Sequence, residues 1–278
     1  AFYDEALRAE FVARTTMRRE LEAAIGAGDI VVHFQPLTDS ETLEVVALEA
    51  LARWRRHGEL VLPKEWLPLA EETGLIVEIG RQVFTAAREA SERYELPVAV
   101  NVSARQLDEA DFVRQVEQSW GPGAWHRLTI EVTESALLHD QAHAREALAT
   151  LAARGVRIAL DDFGTGYNSL ARLGDLPVHV IKVDQAFVRA SGTPEGDAVL
   201  RAVLAVARAH GLEVVAEGVE RAEELTTLVG MGVGVVQGFM LGRPAPTLPI
   251  RGRRPAPRLV GRPTAAVPVQ RLAPAATA

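Results

Sequence analysis

Short apolar runs alternate with longer amphipathic stretches along most of the chain. The runs are Val31–Gln35, Val45–Trp54, Val98–Ser103, Leu128–Thr133, Arg157–Asp161, His179–Asp184, Glu213–Glu217 and Val233–Gly238. Between them, apolar residues recur at helical spacing in Gln82–Tyr94, His143–Arg154, Ala198–His210 and Ala222–Val229. Strands that alternate with helices predict parallel βα units. Eight such runs within roughly 200 residues predict an α/β fold of the TIM (β/α)8 barrel type. The alternative, an open doubly wound sheet, carries a glycine-rich turn after its first strand, and His33-Phe34-Gln35-Pro36-Leu37 contains no glycine.

Ahead of the barrel pattern, Leu7, Phe11, Met17, Leu21 and Ile25 predict one helix from Asp4 to about Ala27, ended by Gly26 and Gly28. After about Pro249 the chain is rich in Pro, Ala and Arg and holds no acid, the composition of a disordered tail. The expected organisation is a connector helix over 1–28, a catalytic barrel domain over 29–247 and a tail over 248–278. The first residue is Ala, not Met, so the chain is expected to be part of a longer protein.

Composition narrows the function. The chain has no cysteine, which excludes thiolate metal sites and cysteine nucleophiles and suits a reducing compartment, hence a cytoplasmic location. Net charge is −7 without a basic stripe, which argues against a nucleic-acid polymer as partner. No apolar run approaches the roughly 18 residues of a membrane helix, and the N-terminus lacks a signal-peptide layout.

The ionisable residues fall in a pattern. Glu49, Asn101, Glu131, Asp161 with Asp162, Lys182, Glu217 and Gln237 lie at or near the C-terminal ends of seven of the eight apolar runs. In a barrel those ends converge on one face, where active sites are built. Five carboxylates would crowd that mouth, with Lys182 and Arg53 as the evident cations, so either several stay protonated or metal cations sit among them. Oxygen-only ligands favour Mg²⁺ or Mn²⁺ over zinc. Asp161 and Asp162 are adjacent, and neighbours in a regular strand face opposite sides. Both reach one site only where the strand ends, which the glycines of Phe163-Gly164-Thr165-Gly166-Tyr167 allow. Such a pair suits a two-metal phosphodiester hydrolysis. Lys182, flanked by Val180-Ile181 and Val183, would orient the attacking water, take its proton or neutralise a carboxylate. Arg53, four residues beyond Glu49 and on the same strand face, suits phosphate binding. His139 and His143 have helical spacing but lack the Glu of a zinc H-E-x-x-H motif, and read as helix surface.

Several motifs in order are similar to those of the EAL domain family of cyclic di-GMP phosphodiesterases. They are Phe34-Gln35-Pro36, Glu49-Ala50-Leu51 with Arg53-Trp54, Asn101-Val102-Ser103, Glu131-Val132-Thr133-Glu134, Asp161-Asp162-Phe163-Gly164-Thr165-Gly166-Tyr167, Lys182-Val183-Asp184, Ala216-Glu217-Gly218-Val219-Glu220 and Gln237-Gly238-Phe239. The resemblance implies a modified TIM barrel that hydrolyses cyclic di-GMP to linear pGpG with Mg²⁺ or Mn²⁺ in a two-metal site. It implies Glu49, Asn101, Glu131, Asp161, Asp162 and Glu217 as metal ligands. Catalytic roles fall on Glu49, Lys182, Glu217, Asp161 and Asp162, substrate contacts on Gln35, Leu51, Arg53 and Gln237, and anchoring of the Asp162 loop on Glu134. A homodimer and an upstream GGDEF or sensor domain are the implied partners, the first helix resembling the trailing end of a GGDEF domain. Ala52, Asn168 and Gly242 depart from the commoner residues without removing a ligand. The competing readings are a receptor that binds cyclic di-GMP without cleaving it and an interaction module whose barrel only regulates an upstream domain.

Overall fold

A computed structural model describes residues 2–137, 141–163 and 176–249. The Gly164–Tyr167 part of the aspartate motif, His139 and the tail from residue 250 lie outside the described residues.

Eight strands close into a barrel: β1 (Ile30–Asp39), β2 (Val45–Arg56), β4 (Val98–Asn101), β5 (Leu128–Thr133), β6 (Arg157–Phe163), β7 (Val180–Val183), β8 (Glu213–Ala216) and β9 (Val235–Val236). A short edge strand, β3 (Glu59–Val61), pairs with the end of β2. The pairings from β2 through β4 to β9 are parallel, whereas β1 runs antiparallel to both neighbours, β2 and β9. The expectation of uniformly parallel units therefore fails at β1. The cause is loop length: a parallel return needs a dozen or more residues, and β1 and β2 are joined by a short turn over 40–44. The Asp39 carboxylate stitches that turn by accepting from the backbone N–H of Glu41 and Thr42.

Helices cover the outside. Besides the expected ones, α2 (Pro63–Thr73) and α5 (Phe112–Trp120) appear. In α2, Pro63 occupies the first turn, where its missing N–H costs nothing. Gly74, at φ 75°, ends α2 and allows α3 (Leu75–Tyr94) to begin at once. The first helix, α1 (Phe2–Ala27), ends at Gly28, at φ 76°, with Gly26 inside its last turn. Its later turns bury Leu21 and Ala24 against the domain, and Glu20 pairs with Arg56 of β2.

Two apolar clusters result. The larger lies between strands and helices. The smaller comprises Leu37, Ala47, Ala159, Val180 and Val215, with Val235 packed against it. Its members alternate along their strands with residues of the larger cluster, as a period of two requires for residues on the inner face. Each also lies two residues from a candidate site residue: Ala47 from Glu49, Ala159 from Asp161, Val180 from Lys182, Val215 from Glu217 and Val235 from Gln237. Along the reversed β1 the order inverts, and Gln35 precedes Leu37. The polar site therefore stands as one layer directly above an apolar plug.

Candidate functional site

That upper layer surrounds Lys182. Its side chain is among the largest fully buried ones, with 1% of the residue exposed. Nζ lies 2.6 Å from Glu131 Oε2, 2.6 Å from Glu217 Oε1, 3.6 Å from Asp161 Oδ1 and 3.7 Å from Glu49 Oε1. A buried ammonium is tolerable only with partners, and four carboxylates from β2, β5, β6 and the end of β8 supply them. Burial by itself would lower the Lys182 pKa, but Glu131, Glu217, Glu49 and Asp161 raise it well above the ordinary lysine value.

The acids respond unequally. Burial works to raise Glu49, yet Lys182 and the amides of Gln237 and Asn101 outweigh it and hold Glu49 low. Asn101 Nδ2 donates to Glu49 Oε1 at 2.7 Å, and Gln237 Nε2 donates to Glu49 Oε2 at 2.6 Å. Glu131 is pushed well above the carboxylate range, first by burial and then by Glu49, Asp161 and Glu217, with Lys182 opposing. Burial raises Glu217 to about 7 against the pull of Lys182.

Asp161 and Asp162 both line the cleft above this layer. The strand does not end there, as the sequence suggested. It continues to Phe163, and the β6–β7 register breaks between Leu160 and Phe163. Such a bulge leaves a residue unpaired and turns neighbouring side chains to one side. Asp162 sits at φ 54°, in the left-handed region that Asp tolerates better than most residues. Burial, then Asp161 and Asp184, raise its pKa. Glu49 and Glu131 likewise lie within their strands, not at the ends, because β2 runs past the mouth to meet β3 and β5 extends to Thr133.

The cleft has a volume of about 310 Å³, within the usual range for ligand sites. Gln35 and Leu51 line it with Glu49, Lys182, Glu217 and Gln237. Gln35 is held there by a 3.1 Å bond from Nε2 to the Gly242 carbonyl. Asn101 is exposed at the mouth and Glu131 lies buried beneath. Arg53 is not in the lining; its Nη1 turns back to donate to the Ala52 carbonyl at 2.8 Å. Glu134 Oε2 is buried without a hydrogen-bond partner among the described residues. Asp184, Gln185, Gly218, Glu220, Gly238 and Phe239 also line the cleft, although sequence reasoning gave them no role. Their signal was positional, since they follow β7, β8 and β9 in the loops that form a barrel's active face.

The donor chemistry and charge of these residues suit a divalent cation. The donors are oxygens only, and five carboxylates face one buried ammonium. Burial and mutual repulsion raise Glu131 and Glu217, as an excess of negative charge demands. Gln237 Oε1 is a buried acceptor with no donor among the described residues. No group of three or more His, Asp and Glu side chains stands in a metal-holding arrangement among the described residues, the Lys182 ammonium lying between the acids. His139 belongs to a His-Asp dipeptide with Asp140, but outside the described residues.

The family model described as "EAL domain" matches residues 18–244. The chain is 38% identical over 244 residues to "Cyclic di-GMP phosphodiesterase PdeR" of Escherichia coli (strain K12), covering 84% of this chain and 36% of that protein. It is 36% identical over 259 residues to "Bifunctional diguanylate cyclase/cyclic di-GMP phosphodiesterase MucR" of Pseudomonas aeruginosa, covering 88% and 37%. The solved structure "PaMucR Phosphodiesterase, c-di-GMP complex" superposes with a TM-score of 0.77 at 35% identity, covering 84% of this chain and 98% of that one. The chain thus spans about a third of the length of these curated relatives.

Proposed function

The chain belongs to the EAL domain family, and we propose that it hydrolyses cyclic di-GMP to linear pGpG in bacterial second-messenger signalling, with Mg²⁺ or Mn²⁺ as cofactor. The observation that carries this reading is the oxygen-only layer of Glu49, Glu131, Asp161, Asp162 and Glu217 gathered about Lys182 at the barrel mouth. In this reading Glu49, Asn101, Glu131, Asp161, Asp162 and Glu217 hold the metal, Asp161 and Asp162 serving a second ion. A divalent cation bound there supplies a more acidic water and offsets charge on the phosphate oxygens.

The chain's own groups do the rest. Gln237 and Asn101 fix both oxygens of Glu49, so this carboxylate cannot rotate away from the site. Lys182 keeps a positive charge beside the attacking water and steadies the carboxylates around it. Gln35 and Leu51 contact the substrate from the cleft wall. Arg53 swings from the Ala52 carbonyl to a phosphate oxygen, a charge-assisted bond stronger than the one it leaves. Glu134, with its buried oxygen, anchors the loop that carries Asp162.

The test is incubation of purified protein with cyclic di-GMP and chromatography of the products. Formation of pGpG that requires added Mg²⁺ or Mn²⁺ supports the reading. Tight binding without cleavage at saturating metal would make the chain a receptor instead, and full activity in excess chelator would end the metal assignment. The same reading expects a homodimer, an upstream GGDEF or sensor domain and a cytoplasmic location. No helix among the described residues is long and apolar enough to cross a membrane. Light scattering of the purified chain tests the dimer.

A further inference from the structure

Glu224 does not line the cleft, yet it is 2% exposed, which is unusual for an acid in the first turn of a helix. It belongs to α9 (Ala222–Gly230), which follows the turn that leaves β8 and carries Glu217, Gly218 and Glu220 past the cleft. One oxygen, Oε2, accepts from the backbone N–H of Glu220 at 2.9 Å and of Arg221 at 3.0 Å. The other, Oε1, accepts from Arg221 Nε at 2.8 Å.

The opposite side of this turn is closely fitted. Val219 is fully buried, its N–H donates to the Gln237 carbonyl, and its own carbonyl accepts from Met240. Gly218 adopts φ 71°, and a side chain there would meet Gln185 Cβ at 2.3 Å. A Cβ on Gly238 would stand 2.0 Å from the Val219 carbonyl oxygen. The turn is therefore pressed against the loops after β7 and β9, and on its free side the two consecutive N–H groups end on one carboxylate oxygen.

We propose that Glu224 is a positioning residue for the site: it locks the turn from Glu217 to Arg221 so that Glu217 meets Lys182. The same turn, through its backbone bond to Gln237, also bears on the amide that holds Glu49. An ordinary capping box joins the third helical residue to the N-cap N–H alone, here that of Arg221. Glu224 clamps the two residues before the helix, four and three positions from its own, and the farther one, Glu220, lines the cleft. The inference rests on the proposed metal site.

The test measures Mn²⁺ binding by calorimetry, without substrate, on wild type and four variants. Glu224→Ala strands both N–H groups and is expected to weaken Mn²⁺ binding by roughly 10–100-fold, as loss of a group supporting a ligand does. Glu224→Gln keeps one amide oxygen for both N–H groups and is expected to stay within about twofold. Arg221→Ala removes only a largely exposed ion pair and is expected to do the same. Glu224→Asp, one methylene shorter, is expected to fall between, and carries the test if Glu224→Ala does not fold. A Glu224→Ala or Glu224→Asp protein with a lower melting temperature but wild-type Mn²⁺ affinity overturns the proposal and leaves Glu224 a helix cap. So does a Glu224→Gln protein as weak as Glu224→Ala, because the backbone bonds would then not be what matters. Wild type that binds Mn²⁺ but leaves cyclic di-GMP intact refutes the proposed function, with the Glu224 comparison still readable.

Discussion

Replacing Lys182 by Met tests the charge balance of the whole site. Met is unbranched and only one atom shorter, so the change removes the ammonium and leaves most of the packing. In the metal-free protein it strands two carboxylates that each lie 2.6 Å from Nζ and two more within 3.7 Å. Removing one partner of a buried ion pair costs about 3–5 kcal/mol. Proton uptake by Glu131 and Glu217, already raised by burial, holds the loss near the lower figure. At about 2–4 °C per kcal/mol for a domain of this size, the melting temperature in excess chelator should fall by roughly 6–12 °C. Saturating Mn²⁺ should narrow the gap from wild type, since the ion restores positive charge among the same oxygens. Turnover at saturating metal and substrate should drop by about 10²–10⁴-fold, with little change in substrate affinity if Lys182 acts chiefly in the transition state. Calorimetric melts with and without Mn²⁺, and a substrate titration on each protein, measure both effects. An unchanged melting temperature in chelator would refute Lys182 as the counter-ion. Turnover restored by high metal would assign it to metal-site organisation alone.

Asp162→Asn should raise the metal concentration for half-maximal hydrolysis by on the order of tenfold or more, because an anionic carboxylate ligand becomes a neutral amide; a metal titration of initial rates checks it. Arg53→Ala should raise KM about tenfold with kcat little changed, the loss of one charge-assisted contact, and unaltered KM would remove Arg53 from substrate binding. His179 accepts the Ile158 N–H at Nδ1, and burial, followed by Arg157, lowers its pKa below 6.5. Its neutral form is the one the fold holds, so its contribution is complete above about pH 6.5 and is lost as pH falls through the lowered folded value. Urea midpoints between pH 8 and pH 5 should therefore fall more for wild type than for His179→Leu, and parallel curves would contradict this.

Along each strand the sequence already displayed the vertical order of the barrel. Ala47 and Glu49, Val180 and Lys182, Val215 and Glu217 are spaced by two, and that period alone sets them on one face with the polar member toward the mouth. Local chemistry also ended the first helix at Gly28 and gave the hairpin of β1 and β2 its turn. What the chain could not show locally was the meeting of distant residues. Glu131 and Lys182 are 51 positions apart, and Glu49 and Gln237 are 188 apart. Only closure of the barrel makes them neighbours, and only there does one ammonium find four acids. The same holds for the bulge that turns Asp161 and Asp162 to one side, since a break in register is defined by the partner strand and not by the strand itself. Glu224 is the clearest case. In sequence it is one of many helix-surface acids, and its importance arises because the turn before it is pinned from behind by loops that come from elsewhere in the chain.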